Sequence, residues 1–461
     1  MRIVVIGGGI SGLTAAFLAR AAGHQVTCLE PGPPGGLMAS LRDDSGFLFE
    51  TGPQAILDDA PDSLALIEAV GLGPRGLPAL PAAARRFIYT SGALRPIPSG
   101  PGGLLTSRLL SWKGKLRLVR EPFVPRTTVA SDDDSETVLA FGSRRLGAEA
   151  ARVLLATAVI GIYAGDAAEL SLASAFPRLA AFEREHGSLL AGLRASRRAG
   201  RRRGHPLSFP DGLAELPKAL AQALGDHLLA ARAAGVEPRP GGGWRVHADG
   251  AGTTGSSMTA LDAEAVIVAS DAATAARLLT PLVPAARRLA TVPTAPAAIC
   301  ALGFHDVPTR PLGMDTQAYG FLVARNQGPR LLGCQYESST FAGRAPEGSV
   351  LLRGILGGVG PGFDPAVVER SDERIAADTI SDLRQIAGLS RDPDLVRVWR
   401  HAAGIPQYRP GHRQMLATLD DDLRRQPGLH VLGHAVRGAG VNACIRAAAS
   451  LVGQLVASGP N

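Results

Sequence analysis

The chain has 461 residues, enough for two or three domains around a large buried core. Its 48 Lys and Arg against 41 Asp and Glu give a net charge of +7, and 46% of its residues are apolar. That balance suits nucleic acid, an anionic membrane surface or an acidic substrate, but no nucleic-acid module accompanies it, so nucleic acid is left out. No apolar run reaches the ~18 residues of a spanning helix; the longest uncharged candidate, Val153 to Gly165, is too short. The N-terminus opens directly on a strand and a glycine loop, so no signal peptide is expected. Cys28, Cys300, Cys334 and Cys444 lie far apart in apolar stretches. They read as small hydrophobes in a reducing cytoplasm, and no metal site is expected.

In chain order, Arg2 to Ile6 reads as a short buried strand. Gly7, Gly9 and Gly12 follow in G-x-G-x-x-G spacing, and Leu13 to Ala22 reads as a helix. Gly7 permits the tight turn, Gly9 lets the backbone approach a pyrophosphate, and Gly12 lets helix and strand pack closely. The pyrophosphate then meets the helix N-terminus, at Ile10 and Ser11, where unpaired N–H groups favour an anion. Gly23 ends the helix and Gln25 to Glu30 forms a second strand. Glu30 stands 18 residues after Gly12, close to the spacing of an acid that binds a ribose hydroxyl.

Pro33-Pro34-Gly35-Gly36 comes next, then Phe47-Leu48-Phe49-Glu50-Thr51-Gly52-Pro53. A second glycine pair just past the ribose acid resembles the extended FAD motif of amine-oxidase-like flavoproteins. It implies FAD rather than NAD, with Gly35, Gly36, Gly52 and Pro53 among the contacts. Pro33-Pro34 stands where those families usually carry an Arg.

Residues 84–205 read mainly as helices, and Phe209 to Leu229 as a helix with Leu213, Leu216, Leu220 and Leu224 on one face and Pro217 in its first turn. Val236 is expected among the cofactor contacts. Ala265 to Ala269 is a buried strand that should return to the nucleotide-binding sheet. Short strands follow at Gly320 to Ala324, Arg330 to Gln335 and Val350 to Leu356, which suggests a second sheet. Near the C-terminus, Leu429 to Leu432 reads as a strand. Gly433 and Gly438-Ala439-Gly440 read as a loop, and Val441 to Val456 as a helix. The start of that helix, at Val441 and Asn442, suits the pyrimidine end of the isoalloxazine, where its dipole would stabilise the negative charge of a reduced flavin.

Further stretches are Arg86-Phe87-Ile88-Tyr89-Thr90-Ser91-Gly92, Gly161-Ile162-Tyr163-Ala164-Gly165-Asp166, Gly320-Phe321-Leu322-Val323, Gly343-Arg344-Ala345-Pro346-Glu347-Gly348, Pro406-Gln407-Tyr408 and Gly440-Val441-Asn442-Ala443-Cys444-Ile445. With Phe49-Glu50-Thr51-Gly52-Pro53, this ordered set resembles the oxygen-dependent protoporphyrinogen oxidases and spans nearly the whole chain. The resemblance implies oxidation of protoporphyrinogen IX to protoporphyrin IX in three two-electron steps, with FAD as acceptor and dioxygen reduced to hydrogen peroxide. Coproporphyrinogen III is the nearest alternative substrate. An amine oxidase, a carotenoid-type desaturase and a non-catalytic porphyrin-binding flavoprotein are the further ones. No catalytic side chain is expected, because the flavin carries the hard step.

By the same resemblance Arg86 holds a propionate, Leu322 and Ile355 sandwich the macrocycle, and the backbone of Gly161 faces it. Gln54 and Gln335 depart from the family's usual Asn and apolar residue, which would alter substrate or inhibitor preference. Leu104 to Arg120 combines Leu109, Leu110, Trp112 and Leu116 with Arg108, Lys113, Lys115 and Arg120. This pattern suits docking at a membrane interface, and the resembled family associates with membranes through this region. A packed helix with a basic outer face suits it equally.

The expected architecture is α/β, an interleaved Rossmann-like FAD-binding domain with a sheet-containing substrate domain and a helical membrane-associating insertion. FAD-binding parts fall at 1–83, 206–290 and 428–461, the insertion at 84–205 and the substrate sheet at 291–427. The expected location is cytoplasmic or peripheral on the cytoplasmic membrane face, and a homodimer is left open.

Overall fold

Arg2–Ile6 and Ala265–Val268 are apolar without alternation, as strands covered on both faces must be. In the computed structural model, which describes residues 1–98, 100–126, 134–200, 204–250 and 258–458, they form the middle of a parallel five-stranded sheet. Its order is Leu228–Leu229, Gln25–Leu29, Arg2–Ile6, Ala265–Val268 and Leu429–Val431. Ile3 and Val5 point to one face, where the helices Ile10–Ala21, Glu215–Leu224 and Val441–Ser458 pack. Val4 and Ile6 point to the other, under the helix Ala272–Leu279 and a three-stranded sheet of Arg232–Pro238, Trp244–Asp249 and Met258–Ala263. That small sheet was not legible in the sequence. The strand order draws segments from both ends of the chain into one layer.

A second sheet has seven strands in the order Leu395–Pro406, Thr294–Phe304, Val350–Gly357, Leu331–Tyr336, Gly320–Val323, Arg86–Thr90 and Ala93–Pro96. All its neighbours are antiparallel except Gly320–Val323 beside Arg86–Thr90, which run parallel. One face packs Cys300, Leu302, Phe321, Cys334 and Leu352 against Leu383 and Ile386 of the helix Asp372–Ala387. The opposite face is free of that core.

Three readings of local structure are corrected. Arg86–Thr90 and Ala93–Pro96 are a hairpin of the second sheet, within a stretch expected to be mainly helical. Ser91 and Gly92, with φ of +51° and +73°, close it as a two-residue turn whose twist matches the flanking strands. The segment Phe209 to Leu229 is helical only over Glu215–Leu224, because the Leu213 N–H is held by the Glu50 carboxylate at 2.8 Å instead of by a preceding turn. Leu104 to Arg120 is two helices, Pro101–Thr106 and Trp112–Val119, the second capped by Ser111, whose hydroxyl accepts from Gly114 N–H at 3.1 Å. The side chains of Leu104 and Leu105, and the run Arg201-Arg202-Arg203, lie outside the described residues. Among the described residues no helix is long and apolar enough to cross a membrane.

Candidate active site

The glycine loop behaves as its spacing requires. Gly7 has φ of +111°, and a Cβ there would lie 2.7 Å from the Ala269 carbonyl oxygen. A Cβ at Gly12 would lie 1.9 Å from the Gly7 carbonyl oxygen, so the helix can sit this close to the strand only without a side chain. A Cβ at Gly9 would meet nothing within 4 Å. The helix Ile10–Ala21 also starts without a side-chain cap. An open space above Gly9 and the uncapped N–H groups of Ile10 and Ser11 form a cradle that fits the pyrophosphate of a dinucleotide.

The second glycine pair completes it. Gly35 pairs with Gly9 in a parallel bridge, and its N–H donates to the Gly8 carbonyl at 2.8 Å. Gly36 stands against the Cα of Gly9. Glu30 ends the second strand beside them, where its carboxylate accepts from Gly8 N–H at 2.7 Å and Gly32 N–H at 2.9 Å. It therefore fixes both glycine turns.

The last helix joins from the other end of the chain. Ser11 hydrogen-bonds to Cys444 in the first turn of Val441–Ser458, which sets the two helix N-termini side by side. Gly433, with φ of +121°, turns the chain off the last strand, and Val441 packs partly buried beside the first helix. Asn442 is committed elsewhere: its amide nitrogen donates to the Leu57 carbonyl at 2.9 Å and its oxygen accepts from the Ser63 hydroxyl at 3.1 Å. It pins the helix start, and any role toward the flavin falls to its backbone. Val236 lies on the strand Arg232–Pro238, with its side chain in the core of Trp244 and Val246.

Arg86, Leu322, Gln335 and Ile355 lie on the face of the seven-stranded sheet away from the helix Asp372–Ala387, in two rungs defined by register. Arg86, Gly320, Gln335 and Arg353 are aligned across four strands as a polar rung. Two residues along, Ile88, Leu322, Gly333 and Ile355 form an apolar rung. Gly161, on the helix Ala156–Tyr163, packs on the apolar rung: a Cβ there would stand 2.8 Å from Leu322 Cδ1. Ile355 packs with Ile160 of the same helix. Arg85, the neighbour of Arg86 in the chain, is spent on Asp315 at 2.9 Å and the Gln317 carbonyl at 2.8 Å.

The loop Gly52-Pro53-Gln54 joins the two halves. A Cβ at Gly52 would lie 1.8 Å from the Leu37 carbonyl oxygen, which holds this loop against the second glycine turn. On its other side Arg353 donates to the Gly52 carbonyl through one Nη and to Gln335 Oε1 through the other, at 2.6 Å for the latter. With the Gln54 amide oriented to meet complementary partners, its nitrogen donates to both Glu337 oxygens at 2.9 and 2.8 Å. Its oxygen accepts from the Tyr319 hydroxyl at 2.7 Å and from Gln335 Nε2 at 2.9 Å. Burial raises the pKa values of Glu337 and Tyr319 above their ordinary ranges, partly offset by Arg353 for the acid and by Arg86 for the phenol.

Tyr319, Arg353 and Glu337 were not singled out by sequence. They come together only through strand register, since 34 residues of chain separate Tyr319 from Arg353. Glu50, the acid of the 49–53 motif, has a structural part. Its carboxylate is buried and raised to about 7 by that burial. It accepts from Ser40 at 2.6 Å and lies 3.3 Å from Arg344.

Known proteins place this geometry. A family model described as flavin containing amine oxidoreductase matches residues 10–453. The chain is 33% identical to coproporphyrinogen III oxidase of Propionibacterium freudenreichii subsp. freudenreichii, over 96% of this chain and 88% of that one. It is 31% identical to protoporphyrinogen oxidase of Bos taurus, over 100% and 99%. A crystal structure of a protein from Exiguobacterium sp. 255-15 superposes with a TM-score of 0.81 at 26% identity over 99% of both chains. Putrescine oxidase, at 17% identity and a TM-score of 0.69, shares the fold. With its paired glycine turns, the uncapped helix start and a match along almost its full length, the chain belongs to the flavin containing amine oxidoreductase family and is an FAD-dependent oxidoreductase.

Proposed function

We propose that this chain oxidises protoporphyrinogen IX to protoporphyrin IX, with dioxygen as the final electron acceptor. The observation that carries the reading is the paired rungs: an apolar strip beside a cationic rung on one sheet face, joined through the Gly52 loop to the flavin cradle. A porphyrinogen is a broad apolar ring with carboxylate arms. Leu322 and Ile355 supply the apolar wall and remove water from the ring, and Arg86 supplies a guanidinium for a propionate. FAD, when bound, supplies the acceptor for the hydride equivalents lost at the bridging carbons. Gly7, Gly9, Gly12, Gly35 and Gly36 would hold its pyrophosphate side, and Gly52, Pro53, Gly433 and Val441 the flavin side. Glu30 orients the cradle and is our choice for the ribose contact. Curated relatives named for both porphyrinogen oxidations support the same reaction class.

Coproporphyrinogen III is a second substrate favoured by one observation. Gln335 shares the polar rung with Arg86, and a polar residue there suits an added propionate better than a vinyl group. Purified, flavin-loaded protein given each porphyrinogen in turn decides the matter by the fluorescence of the porphyrin formed. Fluorescence from neither substrate overturns the reading. Arg86→Ala is expected to lower kcat/KM by about 1.5–3 kcal/mol, roughly 10- to 150-fold, the scale of one charged hydrogen bond; an unchanged value removes Arg86 from the site.

Docking at the cytoplasmic membrane face completes the proposal. Trp112 and Phe123 are 74% and 85% exposed, beside the exposed Lys113 and Arg120. Exposed aromatic rings among cations suit the headgroup layer of an anionic bilayer, from which an apolar substrate can be drawn.

A further inference from the structure

We propose that Tyr319 is the positioning residue for the substrate carboxylate, acting through Arg86; this rests on the porphyrinogen reading of the same site. The Arg86 guanidinium carbon lies 4.5 Å from the centroid of the Tyr319 ring, close enough for a cation–π contact. A long arginine on its own samples many rotamers, and each lost rotamer costs binding free energy when a ligand arrives. The ring limits that search in advance.

What holds the ring is unusual. Its hydroxyl donates to Gln54, and Gln54 is bound in turn to Glu337 and Gln335. Gln335 is bound to Arg353, and Arg353 to the Gly52 carbonyl and, at 3.8 Å, to Glu337. Glu337 and Arg353 are both buried, so this frame has little freedom. The platform under Arg86 is thus anchored to the loop that faces the flavin cradle. A carboxylate seated on Arg86 is thereby set at a defined place relative to that loop. Arg353 is buried and donates into the frame through both of its Nη groups, so it serves the frame, and Arg86 is the less buried cation of the rung. Glu337 stays behind the ring and does not touch substrate.

The test compares Tyr319→Phe, Tyr319→Leu, Arg86→Ala and the double variant Tyr319→Leu with Arg86→Ala, all on the flavin-loaded enzyme. Flavin absorbance per chain is recorded first. Tyr319→Leu is expected to raise KM about 2- to 30-fold, the range of a cation–π contact, with kcat and flavin content kept. Tyr319→Phe keeps the ring but frees it from Gln54, and is expected to raise KM by less than Tyr319→Leu does. The double variant should be no worse than Arg86→Ala, because the ring acts through the arginine. On the porphyrinogen methyl ester, which has no carboxylate charge, the Tyr319→Leu effect should vanish. An effect that persists on the ester, or that multiplies with Arg86→Ala, overturns the proposal. So does a normal KM in Tyr319→Leu. If Tyr319→Leu does not fold, Tyr319→Phe and Tyr319→Trp carry the test, and a KM rise in both matching Arg86→Ala overturns it. A parent enzyme inert on every porphyrinogen defeats the underlying reading instead, and flavin loading without turnover identifies that case.

Discussion

Gly9 and Gly12 show how differently two glycines of one motif are used. At Gly12 the missing Cβ is a requirement of the empty fold, because it would stand 1.9 Å from a carbonyl oxygen. At Gly9 there is nothing to strike, so the requirement comes from the ligand. Gly12→Ala should therefore cost about 1–3 kcal/mol or more through overpacking, read as a lower Tm even without flavin. Gly9→Ala should keep the Tm of the flavin-free protein and weaken FAD binding by about tenfold or more, some 1.4 kcal/mol. Absorbance of the flavin that survives gel filtration measures it. Equal losses of Tm in the two flavin-free variants would contradict the assignment. The motif itself was plain in the sequence; the division of labour between its glycines depends on how closely the helix approaches the turn at Gly7.

Among the elements, the helical region is fastened by one buried acid. Glu121 accepts from Arg145 Nε at 2.9 Å, from the Ser188 hydroxyl at 2.6 Å and from Leu189 N–H at 2.9 Å. It thereby pairs a cation on the helix Val138–Leu146 and serves the first turn of Leu189–Arg198. Both Glu121 and Arg145 have no exposed side-chain surface. Such a pair adds little over an apolar replacement, yet removing the acid leaves the buried Arg145 with Glu183, at the longer distance of 3.4 Å, as its counter-charge. Glu121→Ala is expected to destabilise by about 3–5 kcal/mol, while Glu121→Gln, which keeps the shape and some of the hydrogen bonds, should lose less. Thermal unfolding of both variants tests the ordering. The helices here were expected from composition and period, but the acid that ties them was not, because its partners lie 24 and 67 residues further along.

At the scale of the whole molecule, the arrangement puts the basic, apolar helix Trp112–Val119 and the exposed Phe123 on the outside. Trp112→Ala with Phe123→Ala is expected to cut sedimentation with anionic phospholipid vesicles by about tenfold, while turnover of detergent-dispersed porphyrinogen stays near the parent's. Added salt should weaken the parent's binding as well, since part of the attraction is between opposite charges. Full vesicle binding by the double variant would leave this face without a membrane role.

Local sequence was enough for whatever depends on neighbours along the chain. The strand, glycine turn, helix and acid of the first 30 residues are of that kind, as are the last strand and helix, since turn geometry and apolar period act over a few residues. The hairpin at Arg86–Thr90 escaped that reading, and its place in the second sheet could come only from pairing with Gly320–Val323, more than 200 residues away. The same holds for the sheet face that carries Arg86. A register of one residue sends a side chain to the opposite side of a sheet, so only the assembled strands decide that Arg86, Gln335 and Arg353 share a rung. The same assembly sets Tyr319 beneath Arg86 and brings the Gly52 loop from beside the second glycine turn to close the frame. The sequence by itself determined that a dinucleotide is bound, and the tertiary structure decided what faces it.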